Sequence, residues 1–428
     1  MHLPFNRPVA LLLFVALAYV LAARGIVPAL SKVDTDFPNY FTAAKIVADG
    51  GNTDRLYDNG WFQDQMRRYG VGKPSEGEFK PFPPPTALML VPLTRLKPLD
   101  ALRVVTGVSV LCLVCSIFLL ARILSWGLVD SAVFVLLAGY AVLGALRLGQ
   151  PYILVSLSCI LGYYACLKGR PLLAGMCFGL FTPIKYFPIV FLIYFAFRKE
   201  WKVVLGGATA ILIVTSASIW VLGWKIHEDF LSSVLGNHLV AKLDLQDPFT
   251  ASYQSFDSLF RRLFIFDATL NPQSLFAVPR LQGIAVLTTK VSILLVAIAT
   301  LVKLARRGAD GATAPSIGIL GVGTLLLAPA TATYHFVLFW LPVGLLINYG
   351  LRQGAPMLAY FILGAYALIG FFPYKFTAPF EGRGGLTVLA YPRLFLVLAI
   401  FVAFVHFIWS RAEPAVEGRI QDSPAAIN

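Results

Sequence analysis

Apolar segments of the length needed for membrane-spanning helices recur along almost the whole chain, from near residue 8 to residue 410. A helix needs about 20 apolar residues to cross the hydrocarbon layer of a bilayer. Only 13% of the 428 residues are charged, against about 25% in ordinary soluble domains. Too few charges remain to solvate a surface of this size, so lipid must cover much of it. The sequence therefore predicts an all-α, polytopic integral membrane protein and excludes a soluble globular domain.

The apolar segments predict about twelve helical spans within one membrane domain that covers residues 1–410. A cytoplasmic, disordered tail is predicted for residues 411–428. The spans are predicted near residues 8–30, 103–124, 128–147, 150–167, 171–184, 186–198, 202–223, 282–303, 315–330, 335–350, 356–373 and 389–410.

Lysine and arginine are distributed unequally between the short loops that join these spans. The richer loops carry Arg7, Arg122, Lys168, Arg170, Arg198, Lys199, Lys202, Lys303, Arg306, Arg307, Arg352 and Arg411. The opposite loops carry only Arg147, Lys185, Lys375 and Arg383. Because loops rich in lysine and arginine stay in the cytoplasm, we expect both termini there and the protein in the plasma (inner) membrane. Two long segments then lie on the external, periplasmic face: 31–102, predicted to be structured with interfacial helices, and 224–282.

The net charge of +13 is explained by this loop bias and by contact with anionic membrane lipids. No basic stripe with interleaved aromatic residues predicts nucleic-acid binding. The five cysteines all lie in apolar segments and indicate no disulfide framework. No HExxH, P-loop, EF-hand or GxSxG pattern is present.

Eight polar side chains from separate stretches map to the predicted external helix ends and loops. Polar groups at membrane depth are costly and usually face a cavity, so their convergence predicts one shared site. The alternative is that each lies separately among the lipid head groups, as snorkelling lysine and arginine do. The eight residues are Asp34, Asp36, Arg147, Gln150, Lys185, Gln254, Arg262 and His335.

Three of these residues suggest particular chemistry. Asp36 is a candidate general base, because a carboxylate near apolar surface has a raised proton affinity; the alternative is a helix N-cap. Lys185 follows a proline-broken segment and is a candidate point charge for a lipid phosphate. His335 opens the tenth predicted span and is a candidate donor to phosphate or sugar.

Several short motifs occur in a fixed order over roughly residues 30 to 350. Together they resemble glycosyltransferase family 87, within the GT-C superfamily. The chain departs from the usual pattern at Tyr253, Ala328 and Tyr186, where the family often has Asn, Ser and Pro. The motifs are Asp36-Phe37-Pro38-Asn39-Tyr40, Phe82-Pro83-Pro84-Pro85, Gly149-Gln150, Pro183-Ile184-Lys185, Gln254-Ser255 and Tyr334-His335.

The resemblance implies a GT-C-like enzyme that takes a hexose, expected to be mannose, from a polyprenyl-phosphate donor. It places the sugar on a hydroxyl of a lipid or glycan acceptor with inversion, without metal or other cofactor. Asp36 is then the general base; Lys185, His335 and Arg262 bind the donor phosphate, and Gln150, Gln254, Tyr40 and Asp34 contact the sugar or acceptor.

Two rival interpretations stay open at the level of the sequence. A secondary transporter also has broken helices around a polar site, but the long external segment and the lack of acidic residues in mid-span disfavour it. The other rival is a non-catalytic membrane subunit of a polysaccharide or lipid export system.

Overall fold

Helices make up the regular structure of the chain in the computed structural model, which describes residues 6–34, 36–80, 82–239, 247–306 and 309–411. Within these ranges there is no strand, and the one β-bridge joins Asp267 and Asn271. The predicted all-α class is therefore confirmed. Apart from Arg411, the predicted tail lies outside the described residues.

Each of the twelve predicted spans coincides with helical structure. Among the described residues, six helical stretches are long and apolar enough to cross a membrane, and up to eight are if each of two bent helix pairs is one span. The protein is thus a multi-pass membrane protein, while the number twelve stays a prediction. The helices are Arg7–Val20 continuing through Leu21–Ile26 and Val27–Ser31, Pro98–Leu124, Leu128–Leu136 with Tyr140–Arg147, Tyr152–Leu167, Pro171–Leu180, Ile189–Phe197, Trp201–Leu222, Pro279–Ala305, Ala309–Leu327, Thr333–Phe339 with Trp340–Arg352, Pro356–Phe371 and Pro392–Ser410.

Shorter helices fill the segments between the long ones. The first predicted external segment packs in a hydrophobic cluster that is separate from the main core; the cluster includes Phe37, Phe62 and Phe79 and also takes in residues between 222 and 234. This segment is therefore structured, and its place outside the membrane stays a prediction. The shorter helices are Asp36–Ala48, Thr53–Arg55, Asn59–Tyr69, Pro74–Glu76, Pro84–Leu88, Val91–Leu93, Lys225–Asp229, Phe230–Val234, Leu235–Leu239, Phe256–Phe264, Tyr374–Phe376, Ala378–Phe380 and Gly384–Ala390.

Residues assigned to the cytoplasmic side meet at one end of the structure. The Lys303 ammonium donates to the Trp409 carbonyl oxygen at 3.2 Å. The Arg411 guanidinium donates to the Gln353 carbonyl oxygen at 2.6 Å. The ends of three distant helices therefore lie together, as the loop-charge argument requires.

Glycines allow two helices to pack with their backbones in close contact. A Cβ atom on Gly175 would overlap the Val203 carbonyl oxygen, and one on Gly179 would overlap that of Gly207. Small residues permit this approach between membrane helices. The helix Pro171–Leu180 ends just before the turn that carries Lys185, so this contact fixes where that turn begins.

A sharp bend positions the second half of the predicted site. The helices Leu128–Leu136 and Tyr140–Arg147 meet at 73°. The bend contains Gly139, which has φ +53° and lies so close to Gly370 that a Cβ would overlap its carbonyl oxygen. Glycine alone tolerates both constraints, and the bend directs Arg147 and the following turn towards the segment that begins at Asp34.

Substituting Gly179 by Ala tests the close helix contact. We expect the free energy of unfolding to fall by about 1–3 kcal/mol, because overpacking forces the helices apart. Gly364→Ala is the matched control, since Gly364 also lies inside a helix but an added Cβ meets open space; helix propensity predicts unchanged or slightly raised stability there. Thermal unfolding in one detergent measures both variants, and equal melting temperatures would contradict the packing argument.

Candidate functional site

Two polar contacts join the start of the helix Asp36–Ala48 to the end of the bent helix pair. An Arg147 terminal nitrogen (Nη2) lies 3.0 Å from Asp34 Oδ2. The Gln150 amide Nε2 donates to Asp36 Oδ2 at 2.6 Å. Gln150 is buried, and its amide therefore fixes the orientation of the carboxylate that the sequence assigns as the base.

Tyr40 extends this network by one helical turn. Residues four apart lie on one face of a helix, so Tyr40 stands beside Asp36. Its hydroxyl donates to Gln150 Oε1 at 2.8 Å and accepts from the Lys185 ammonium at 3.4 Å. A continuous chain of polar contacts thus runs from Asp36 through Gln150 and Tyr40 to Lys185.

The Lys185 ammonium is surrounded by aromatic rings. It lies 4.9 Å from the centre of the Tyr152 ring, 5.2 Å from that of Phe82 and 5.9 Å from that of Tyr40. Such contacts partly stabilise a cation. Among the described residues no carboxylate forms a salt bridge with this ammonium. The position is therefore a cationic pocket that is suited to an incoming anion.

The electrostatic state of Lys185 follows from its surroundings in the turn between two short helices. Burial lowers its pKa to about 8, and the nearby Asp36 carboxylate opposes that shift. Desolvation disfavours the charged form of lysine. The ammonium is therefore easily titrated near physiological pH, and an anion bound beside it would restore its charge.

His335 completes the cluster by packing against Tyr152. Its ring centre is 4.6 Å from that of Tyr152. The Ala332 backbone N–H donates to His335 Nδ1 at 3.1 Å, so in the neutral ring the proton is on Nε2. The imidazole thus presents an N–H donor in the region of Lys185. The structure brings together Asp34, Asp36, Tyr40, Gln150, Lys185 and His335, and we call these six residues and Tyr152 the Asp36 cluster.

The side chain of Gln254 is bonded to backbone groups. Its amide nitrogen donates to the carbonyl oxygens of Ala251 and Ala390, and its amide oxygen accepts from the Arg393 backbone N–H. These bonds join the 251–255 loop to the start of the last long helix. Because both amide N–H groups are used by the backbone, we leave Gln254 out of the proposed sugar-binding set.

Arg262 is likewise occupied elsewhere. Its guanidinium forms a salt bridge at 3.2 Å with Glu381, which also accepts a hydrogen bond from Tyr374. The arginine is buried in this pair. Its charge is already balanced by a protein carboxylate, so we leave Arg262 out of the proposed phosphate site.

The structure adds residues to the site that sequence reasoning missed. Tyr152 and Phe82 form the walls around Lys185. Burial raises the pKa of Tyr253 above its usual value, and the Asp36 and Glu78 carboxylates raise it further. Glu78 is buried, and its backbone N–H donates to the Asn39 side chain.

Comparison with known proteins gives the family. The model of glycosyltransferase family 87 matches residues 81–329, which is more than half of the chain. The chain belongs to glycosyltransferase family 87. The protein is therefore a membrane glycosyltransferase, as the order of its motifs predicted. No curated protein and no solved structure matches it.

The family match divides the Asp36 cluster. Gln150, Tyr152 and Lys185 lie inside the matched range, whereas Asp34, Asp36, Tyr40 and His335 lie outside it. Family 87 membership therefore supports the reaction class, and the roles of the four outer residues depend on geometry. Among the described residues, no group of three His, Cys, Asp or Glu side chains is arranged to hold a metal ion.

Replacing Gln254 by Leu tests the scaffold role of this residue in the family 87 chain. The change removes three hydrogen bonds and leaves the buried Arg393 N–H without an acceptor, so we expect a loss of about 2–3 kcal/mol in unfolding free energy. Thermal unfolding in detergent measures it. An unchanged melting temperature together with a selective rise in KM for the sugar donor would return Gln254 to the sugar site.

Proposed function

We propose that this glycosyltransferase moves a hexose, with mannose as our first expectation, from a polyprenyl-phosphate donor to a hydroxyl of a lipid or glycan acceptor. The reaction is placed at the external face of the plasma membrane. One observation carries the proposal: a lysine ammonium that forms no salt bridge with the described residues lies in an aromatic pocket, and a hydrogen-bonded chain links it to an oriented carboxylate.

The proposed reaction is a single in-line displacement with inversion. The acceptor oxygen attacks the anomeric carbon, and the bond from that carbon to the phosphate oxygen breaks. The bonding electrons leave with the polyprenyl phosphate. Asp36 accepts the acceptor proton, and Gln150 holds its carboxylate in position for that transfer.

The phosphate leaving group needs charge stabilisation rather than a strong acid. Lys185 supplies a positive charge, and the Nε2–H of His335 supplies a hydrogen-bond donor; both groups lie against the Tyr152 ring. Such preorganised groups stabilise developing charge without reorganisation during the reaction. Tyr40 couples the two ends of the site, because it contacts both Gln150 and Lys185.

The transporter and export-subunit interpretations lose support from two observations. The chain belongs to a family of glycosyltransferases. The Asp36 cluster also combines a positioned carboxylate with a cationic pocket, which group transfer to a hydroxyl requires and a scaffold does not.

Asp36→Asn tests the general base. Asparagine keeps a side-chain oxygen that can accept from Gln150, so the fold is expected to persist while transfer falls at least about 100-fold, within the range of general-base catalysis. Transfer of labelled hexose from polyprenyl phosphate by purified protein measures it, with melting temperature as the folding control. Asp34→Asn is the neighbouring comparison: loss of transfer in that variant alone would move the base to Asp34.

The pH profile tests the lysine. Because the pKa of Lys185 in the free enzyme is lowered to about 8, the ammonium is present below that pH and lost above it. We expect kcat/KM for the donor to decline as pH rises through about 8. In Lys185→Arg the guanidinium stays protonated, so the decline should vanish, although altered geometry lowers the absolute rate. The same alkaline decline in the arginine variant would remove Lys185 from the phosphate site.

A further inference from the structure

The polar residues of the site form a row along the start of one helix. Asp34 precedes the helix Asp36–Ala48, Asp36 opens it, and Tyr40 lies one turn further on. Arg147 forms a salt bridge with Asp34, and the Lys185 ammonium donates to the Tyr40 hydroxyl. Two cations thus stand at opposite ends of the row, with the Asp36 carboxylate between them.

Arg147 differs from Lys185 in its exposure and in its bonding. Its side chain is 42% exposed and forms a salt bridge with Asp34. Its Nε atom is buried and has no hydrogen-bond partner within the described part of the chain, so the exposed area lies on its other atoms. A guanidinium has five N–H donors, and Asp34 Oδ2 accepts from one terminal nitrogen. Donor capacity therefore remains on the accessible part of the side chain.

The geometry of an in-line displacement determines which of the two cations, Lys185 or Arg147, lies beside the donor and which lies beside the acceptor. The attacking hydroxyl and the leaving phosphate must lie on opposite sides of the anomeric carbon. With the donor phosphate at Lys185, the acceptor enters from the Arg147 end of the row, where Asp36 meets its hydroxyl. We propose that Arg147 forms an acceptor subsite that binds a phosphodiester group carried by the acceptor. This inference rests on the proposed function.

The chemistry of the residue favours a phosphodiester. A guanidinium presents paired N–H donors that match two phosphate oxygens, and it does so better than an ammonium. The pairing with Asp34 orients the group without sealing it from the surroundings. In contrast, Arg262 and Arg393 are buried and bonded to protein groups. The half-exposed Arg147 thus has room for an external anion that these two arginines lack.

The test compares two acceptors that differ in one group. One is an alkyl hexoside that carries a phosphodiester on its alkyl part, and the other is the same alkyl hexoside without it. Transfer is measured in a neutral detergent, so that no anionic membrane lipid competes for Arg147. We expect the wild-type protein to prefer the phosphodiester acceptor at least about 10-fold in kcat/KM, as hydrogen bonds to charged groups allow. Arg147→Gln should bring that ratio close to one.

Asp34→Asn is the matched control because it breaks the same ion pair from the other side. Under the proposal Asp34→Asn keeps the preference for the phosphodiester, since the guanidinium is retained. Loss of the preference in both variants would assign a purely structural role to the pair and overturn the subsite. A wild-type protein without preference, or an Arg147→Gln variant that keeps it, would overturn it as well. If wild-type protein transfers sugar to neither acceptor from a polyprenyl-phosphate donor, the proposed function fails instead.

Discussion

The site depends on an ammonium that the protein surrounds with aromatic rings and that forms no salt bridge within the part of the chain that the structure describes. Removing a cation from water is unfavourable, and for this reason burial lowers the pKa of Lys185 below its ordinary value. Three aromatic rings and the Tyr40 hydroxyl hold the ammonium in place. Because the Asp36 carboxylate offsets only part of the cost of burying this ammonium, an anion that enters the pocket gains more there than it would at a solvated surface.

The scaffold explains how a flexible side chain keeps this position. Close glycine contacts fix the helix that precedes the Lys185 turn. The glycine-dependent bend at residue 139 directs Arg147 and the turn after it towards Asp34. Rigid supports of this kind preorganise charge for a transition state. The site then separates its two cations along one helix: Lys185 lies in the aromatic pocket, whereas Arg147 stays half-exposed beside Asp34. Such a separation suits a reaction with two substrates that approach from opposite sides.

Much of this arrangement follows from the sequence, and the remainder depends on tertiary contacts. Apolar length predicted the helices, and loop charge predicted which helix ends share a side, so Asp36, Gln150 and Lys185 were expected to converge. Gln254 and Arg262 have the same chemistry as the proposed site residues, but backbone carbonyls and Glu381 bind them, and those partners are distant in sequence. Tyr152 and Phe82 were missed because aromatic residues are frequent throughout this chain and most of them pack in its core.

The central claim is that the Lys185 ammonium receives the donor phosphate. Equilibrium binding of sugar-free polyprenyl phosphate to purified protein tests it most directly, because no turnover is needed. The account predicts that Lys185→Met weakens binding at least about 10-fold, whereas Asp36→Asn binds as well as the wild-type protein or better, since a nearby negative charge has been removed. Equal affinity of the wild-type and Lys185→Met proteins would contradict the account.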